Sequence, residues 1–196
     1  MRLLGCCVMG WAIVMMIRSP HPDILIGPDG DAVALRGGDG RLAMIRSGSD
    51  TFALREWLAA DGDARAPTDK SLAAGLTCDD QGCIGKLRDK SLIAIVKRAS
   101  AFEEDCRKAT VVISGHAAPG DCRALTIDKQ YVRRSGSLAL YRVGDSFEIT
   151  PARPAGYNRP WAPARSQGNE GQDSGRSTNM LPRDATPNPE DLDPGD

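Results

Sequence analysis

Residues 77–122 read TCDDQGCIGKLRDKSLIAIVKRASAFEEDCRKATVVISGHAAPGDC and hold four of the chain's six cysteines. Two runs inside this stretch, LIAIV (92–96) and TVVIS (110–114), are rich in β-branched residues and read as buried strands. Between them Ser100 and Glu103 stand in capping-box spacing, each satisfying a backbone N–H of the other, which predicts a helix start there. That helix places Cys106 one turn beyond Phe102 on the same inward face. Cys78 and Cys83 bracket the turn sequence Asp79-Asp80-Gln81-Gly82, so a disulfide between them would close a small hairpin leading into a short strand at 83–87. Cys106 and Cys122 would join the helix end to the start of a strand at 124–127, and a bridge closing a loop of that size stabilises by about 3 kcal/mol. Zinc is the alternative for these cysteines. The Cys78-x4-Cys83 spacing suits a half-site and His116 is near, but Cys106 and Cys122 offer no matching knuckle.

Upstream, DILI (23–26), AVALR (32–36) and LAMIR (42–46) are separated by GPDGD and GGDGR, whose Asp29-Gly30 and Asp39-Gly40 pairs suit tight hairpins. This predicts a three-stranded meander. Residues 50–60 follow as a helix with Ser49 or Asp50 as its cap and Phe52, Leu54, Trp57 and Leu58 as its apolar stripe. Downstream, SLALYRV and SFEIT around Gly144-Asp145 predict a final hairpin. From residue 156 proline, glycine, asparagine and acidic residues dominate, a composition too polar to offset chain entropy, so a disordered tail is expected over 156–196. At the other end residues 3–17, LLGCCVMGWAIVMMI, form an uncharged apolar run flanked by Arg2 and Arg18. A spanning helix needs roughly twenty residues, so this run reads as a short or truncated membrane segment, with a signal peptide, a lipoprotein signal at Leu3-Leu4-Gly5-Cys6 and a buried core helix as the alternatives. The organisation expected is therefore a transmembrane helix at 1–19, an extracytoplasmic α+β domain at 20–155 and the tail.

The formal net charge of -1 argues against a dominant phosphate-binding surface. Six cysteines are natural in an exported domain. The chain's two histidines, His21 and His116, cannot build the dense His/Asp cluster of a two-metal hydrolase. Acidic residues gather at Asp79-Asp80, at Glu103-Glu104-Asp105, and at Asp121 and Asp128 beside Lys129. None of these spacings is diagnostic of a magnesium site, and solvated helix and turn positions account for them. Ser114-Gly115-His116 is a strand end and loop without a nucleophile elbow. Lys129, Tyr131, Arg133 and Arg134 form a small basic, aromatic patch suited to a backbone contact and a stacked base, and are the candidate DNA contact.

The order PDILIGPDGDAVALRGGDGRLAMIRSGSDTFALREWLAADGDAR, CDDQGCIG, AFEEDCRKATVVIS, DCRALTIDKQYVRRSGSLALYRV and GYNRPWAPAR resembles the C-terminal extracytoplasmic region of alphaproteobacterial members of the ComEC competence-protein family. The likeness spans residues 11–165. Its most specific marks are Trp57 within REWLAADGD, the CDDQGC turn, the EEDC helix end and RPWAP. Full-length members of that family resemble a polytopic inner-membrane DNA channel whose C-terminal domain is often related to metallo-β-lactamases. The resemblance implies a degenerate metallo-β-lactamase-like layer fold of β meander and hairpins with two short helices, preceded by an N-terminal membrane helix. It implies single-stranded DNA and other membrane proteins of the competence system as partners, membrane lipid at residues 3–17, and an inner-membrane location with the main domain outside. The family's His-x-His-x-Asp-His motif is missing, so no catalytic residue, metal or cofactor carries over. The function expected is a non-catalytic C-terminal portion of a DNA-uptake protein. A membrane-tethered periplasmic interaction domain and a diverged metal-dependent nuclease are the alternatives.

Overall fold

The computed structural model describes residues 9–11, 14–15, 20–46 and 51–154. Five strands, β1 (Ile24–Ile26), β2 (Ala32–Arg36), β3 (Leu42–Arg46), β9 (Leu138–Val143) and β10 (Ser146–Pro151), form one antiparallel sheet in the order β10-β9-β1-β2-β3. Strands β4 (Leu76–Cys78), β5 (Gly82–Lys86), β6 (Leu92–Val96), β7 (Val111–Ser114) and β8 (Leu125–Ile127) form a second sheet in the order β4-β5-β6-β7-β8. Its first three strands are antiparallel, and β6, β7 and β8 run parallel. Helix α1 is Phe52–Ala60, α2 is Phe102–Lys108 and α3 is Lys129–Ser135.

The predicted meander is present, with β1 pairing β2 and β2 pairing β3. In both of its turns a glycine takes the left-handed conformation, Gly30 at φ 76° and Gly40 at φ 79°, where a side chain would be strained. The final hairpin returns to the beginning of the chain. Strand β9 pairs β1 with Leu140 opposite Ile24, so the first strand and the final hairpin of the domain share one sheet.

Alternating side chains explain why the strands read as continuous apolar runs. Ile24, Ile26, Val33, Leu35, Leu138 and Leu140 of the first sheet pack against Ile93, Ile95, Val111, Ile113 and Ile127 of the second. On the outer face of the first sheet Ala34, Leu42 and Met44 meet Leu54 and Leu58 of α1. On the outer face of the second, Ala94, Val96 and Val112 meet Phe102 and Cys106 of α2. The layers therefore run helix, sheet, sheet, helix, and central strands buried on both faces cannot show a two-residue polar alternation. Arg142 of β9 also spans the sheets. Its Nε lies 3.0 Å from Asp89 Oδ2 in the β5–β6 turn, an ion pair without hydrogen-bond alignment, and its guanidinium stacks 4.9 Å from the Phe147 ring centre.

Several local expectations are corrected. The capping box does not form: α2 follows a 3-10 turn at Ala99–Ala101 with Ala101 as a cap without a side-chain bond, because Ser100 Oγ instead donates to Gln81 Oε1. The described cap of α1 is Thr51, likewise without a side-chain bond, while Ser49 and Asp50 lie outside the described residues. Leu54 and Leu58 of α1 are buried and Trp57 half-buried, but Phe52 is exposed. A third helix, α3, joins the two expected. The membrane-segment reading rests on residues 3–17, of which only 9–11 and 14–15 are described, as exposed helix. Among the described residues no helix is long and apolar enough to cross a membrane. The tail expected at 156–196 lies outside the described residues.

Candidate nucleic-acid interface

Parallel strands β6, β7 and β8 deliver their carboxyl ends to one edge of the sandwich, the usual place for ligands on such sheets. The loop after β6 begins at Lys97, that after β7 holds Gly115 and His116, and β8 leads through Asp128 into α3. A cavity of 290 Å³ there is lined by Gly30 and Asp31 of the β1–β2 turn together with Lys97, Ser114, Gly115 and His116. Ser114 Oγ accepts the backbone N–H of His116 at 3.0 Å and donates to Val96 O at 3.4 Å. His116 Nε2 lies 2.9 Å from Lys97 O; because a carbonyl only accepts, Nε2 carries the proton. These bonds tie the two loops together. The Ser114 hydroxyl and the His116 ring each bond to backbone groups, with no hydrogen bond between the two side chains among the described residues, which makes this a loop clasp.

Helix α3 displays the basic patch. Asp128 caps it, its Oδ1 accepting the Tyr131 N–H at 2.8 Å, and Gly136 ends it, donating its N–H to Val132 O. Val132 points into the inter-sheet core, and a Cβ placed on Gly30 would lie 3.9 Å from it, which fixes α3 against the β1–β2 turn. Lys129, Tyr131, Arg133 and Arg134 are all exposed on the remaining surface. Arg153, whose N–H donates to Ser135 O at 2.9 Å, runs beside Gly136 and adds a further cation at the helix end. Among the described residues none of these four cations has a carboxylate partner; Arg134 Nη2 donates to the neutral Gln130 Oε1. On α2, by contrast, Arg107 and Lys108 sit opposite Glu103 and Glu104. The basic residues are legible in the sequence but their helix is not, because two turns with a single buried residue, Val132, give no apolar stripe. The signal available was the cap, Asp128, and the glycine stop, Gly136.

The sulfur atoms of Cys78 and Cys83 stand at disulfide distance across the β4–β5 hairpin, as do those of Cys106 and Cys122. The second pair links α2 to the loop between β7 and β8, so it holds together both crossovers on the outer face of the second sheet. Of the acidic residues, the fold gathers Asp79, Glu104 and Asp105 around one groove with Lys108, and leaves Asp128 to its capping role. Burial, and then the neighbouring Glu104 and Asp79, push the Asp105 carboxyl above its usual range. Backbone N–H groups of Gly82 and Gln81 hold Asp79 below its own, and Lys108 does the same for Glu104. Among the described residues no three His, Cys, Asp or Glu side chains come close enough to share a metal ion.

No protein-family model matches the chain, and no curated protein or solved structure is significantly similar to it.

Proposed function

We propose that the chain is the non-catalytic C-terminal extracytoplasmic portion of a ComEC-type DNA-uptake membrane protein, contacting single-stranded DNA through α3. The observation that carries this reading is the α3 surface, where Lys129, Arg133 and Arg134, with Arg153 beside the helix end, have no carboxylate partner among the described residues and Tyr131 is exposed. Unneutralised cations attract phosphates by releasing counterions, and an exposed aromatic ring offers a face on which any base can stack. Two cysteine pairs at bonding distance favour an oxidising compartment outside the inner membrane. The helix–sheet–sheet–helix order supports a degenerate metallo-β-lactamase-like domain. In this reading residues 3–17 lie in the lipid, and other competence-system membrane proteins are the domain's neighbours.

The test uses the full chain. Purified protein titrated with a fluorescent single-stranded oligonucleotide is expected to bind in a salt-sensitive way, and Arg133→Glu with Arg134→Glu is expected to abolish binding and lower transformation of the host by added DNA. Binding and transformation unchanged by the double substitution would sink the proposal. Release of acid-soluble nucleotides that needs magnesium and is lost in Glu104→Gln would establish the nuclease alternative instead.

A further inference from the structure

At the opposite edge of the sandwich from α3, a cavity of 420 Å³ with almost wholly polar walls opens between the two sheets. It is lined by His21 and Asp23 just before β1, Arg36 at the end of β2, Gly40 in the β2–β3 turn, Asp61 at the end of α1, and Arg88 in the β5–β6 turn of the other sheet. Formal charges there nearly cancel, so hydrogen-bonding capacity decides what the cavity takes. Both oxygens of Asp61 accept from Arg36, and Asp23 Oδ2 accepts the Arg142 N–H at 2.7 Å. The acids are thus largely satisfied from within. Arg36 spends Nε on Pro22 O and its Nη groups on Gly40 O and Asp61, four bonds in all. A guanidinium has five N–H groups, which leaves one on Nη2. Arg88 and His21 have no ion-pair or hydrogen-bond partner among the described residues, and Arg88 Nη2 lies against Gly40, 3.3 Å from where a Cβ would stand. The surplus is of donors, and of cationic donors, lining the cavity from both sheets.

We propose that this cavity binds the phosphoryl group of a small phosphate monoester. The Arg88 fork takes two of its oxygens, a geometry guanidinium groups suit, while the remaining Arg36 N–H and the His21 ring donate from the sides. A tetrahedral group with several acceptor oxygens meets donors arriving from such different directions, as a planar carboxylate does not. The unengaged oxygen of Asp23 repels a bare dianion but accepts a hydroxyl, which favours a hydroxylated ester such as a sugar phosphate. Arg36 has a second role in holding its loop, whereas Arg88 and His21 are exposed and make no side-chain hydrogen bond or ion pair among the described residues.

The test is isothermal titration of the full chain with ribose 5-phosphate, with ribose as the control. Saturable one-site binding of the ester but not of ribose is expected, weakened by about tenfold or more in Arg88→Gln and less in His21→Gln, with the unfolding midpoint unchanged in both. Absence of saturable binding overturns the proposal. So does binding of equal strength in Arg88→Gln, or equal binding of ribose.

Discussion

Arg36 Nη2 donates to Asp61 Oδ1 at 2.6 Å while Nη1 donates to Oδ2 at 3.2 Å, with the two side chains 8% and 13% exposed. This two-pronged pair ties the end of β2 to the end of α1, and the same guanidinium reaches Pro22 O and Gly40 O. Removing one partner of such a buried pair leaves the other charge uncompensated, at a cost of roughly 3–5 kcal/mol. Asp61→Ala is expected to lose about that much in urea unfolding. Replacing both residues by apolar ones, Arg36→Met with Asp61→Leu, is expected to cost less than Asp61→Ala alone. A larger loss in the double variant would show that the Arg36 bonds to Pro22 and Gly40 dominate.

The two cysteine pairs close loops of different size, with sequence separations of 5 and 16. Loop-closure entropy assigns about 2 kcal/mol to the first and about 3 kcal/mol to the second. Cys106→Ala with Cys122→Ala is therefore expected to lower the unfolding midpoint more than Cys78→Ala with Cys83→Ala. Thermal unfolding without reductant compares them directly, and the reverse order would refute the assignment.

Two aspartates give opposite dependences on pH. The Arg65 guanidinium, hydrogen-bonded to Asp63, holds that carboxyl below its usual range, so the folded state favours its ionised form. Its contribution is full above the unfolded value of about 4 and is lost as pH falls through the lower folded value. Asp105 is raised in the folded state, so its ionisation penalises folding from about pH 4 upward, increasingly as pH rises through the folded value. Asp63→Asn is expected to destabilise at neutral pH and Asp105→Asn to stabilise. Both differences should fade in strong acid, as measured by urea midpoints across a pH series.

Gly82 and Gly85 of β5 occupy crowded positions of unequal tolerance. A Cβ on Gly82 would lie 2.5 Å from the Ile95 backbone oxygen, whereas one on Gly85 would meet the ends of the Leu35 and Leu76 side chains at 2.5 and 2.7 Å. Backbone must move in the first case and rotamers in the second. Gly82→Ala is expected to cost more than Gly85→Ala, with overpacking losses on the order of 1–3 kcal/mol. Equal stabilities by denaturant unfolding would contradict this.

If α3 contacts phosphates, each cation removed should change the salt dependence of binding. Lys129→Ala is expected to weaken oligonucleotide binding for all sequences alike and to reduce the slope of log affinity against log salt by about 0.7. Tyr131→Ala should lower affinity while leaving that slope unchanged, because stacking releases no counterions. A slope altered by Tyr131→Ala and untouched by Lys129→Ala would place the contact elsewhere.

What the sequence determined alone was local. Asp29-Gly30 and Asp39-Gly40 announced the meander turns, β-branched runs announced β6 and β7, and the turn between Cys78 and Cys83 suited the first cysteine pair, because turn chemistry, side-chain branching and short-range cross-links act within a few residues. The tertiary structure decided what depends on distant partners. Ser100 left its predicted cap because Gln81, far back in the chain, offers a hydrogen bond. Strand β9 joined β1 because Asp23 meets both Leu140 O and the Arg142 N–H, a pairing no local pattern encodes. Only the packing of two sheets brought Arg88 and Arg36 to one cavity, and the burial of Val132 against the core set which face of the Asp128-capped α3 displays its cations.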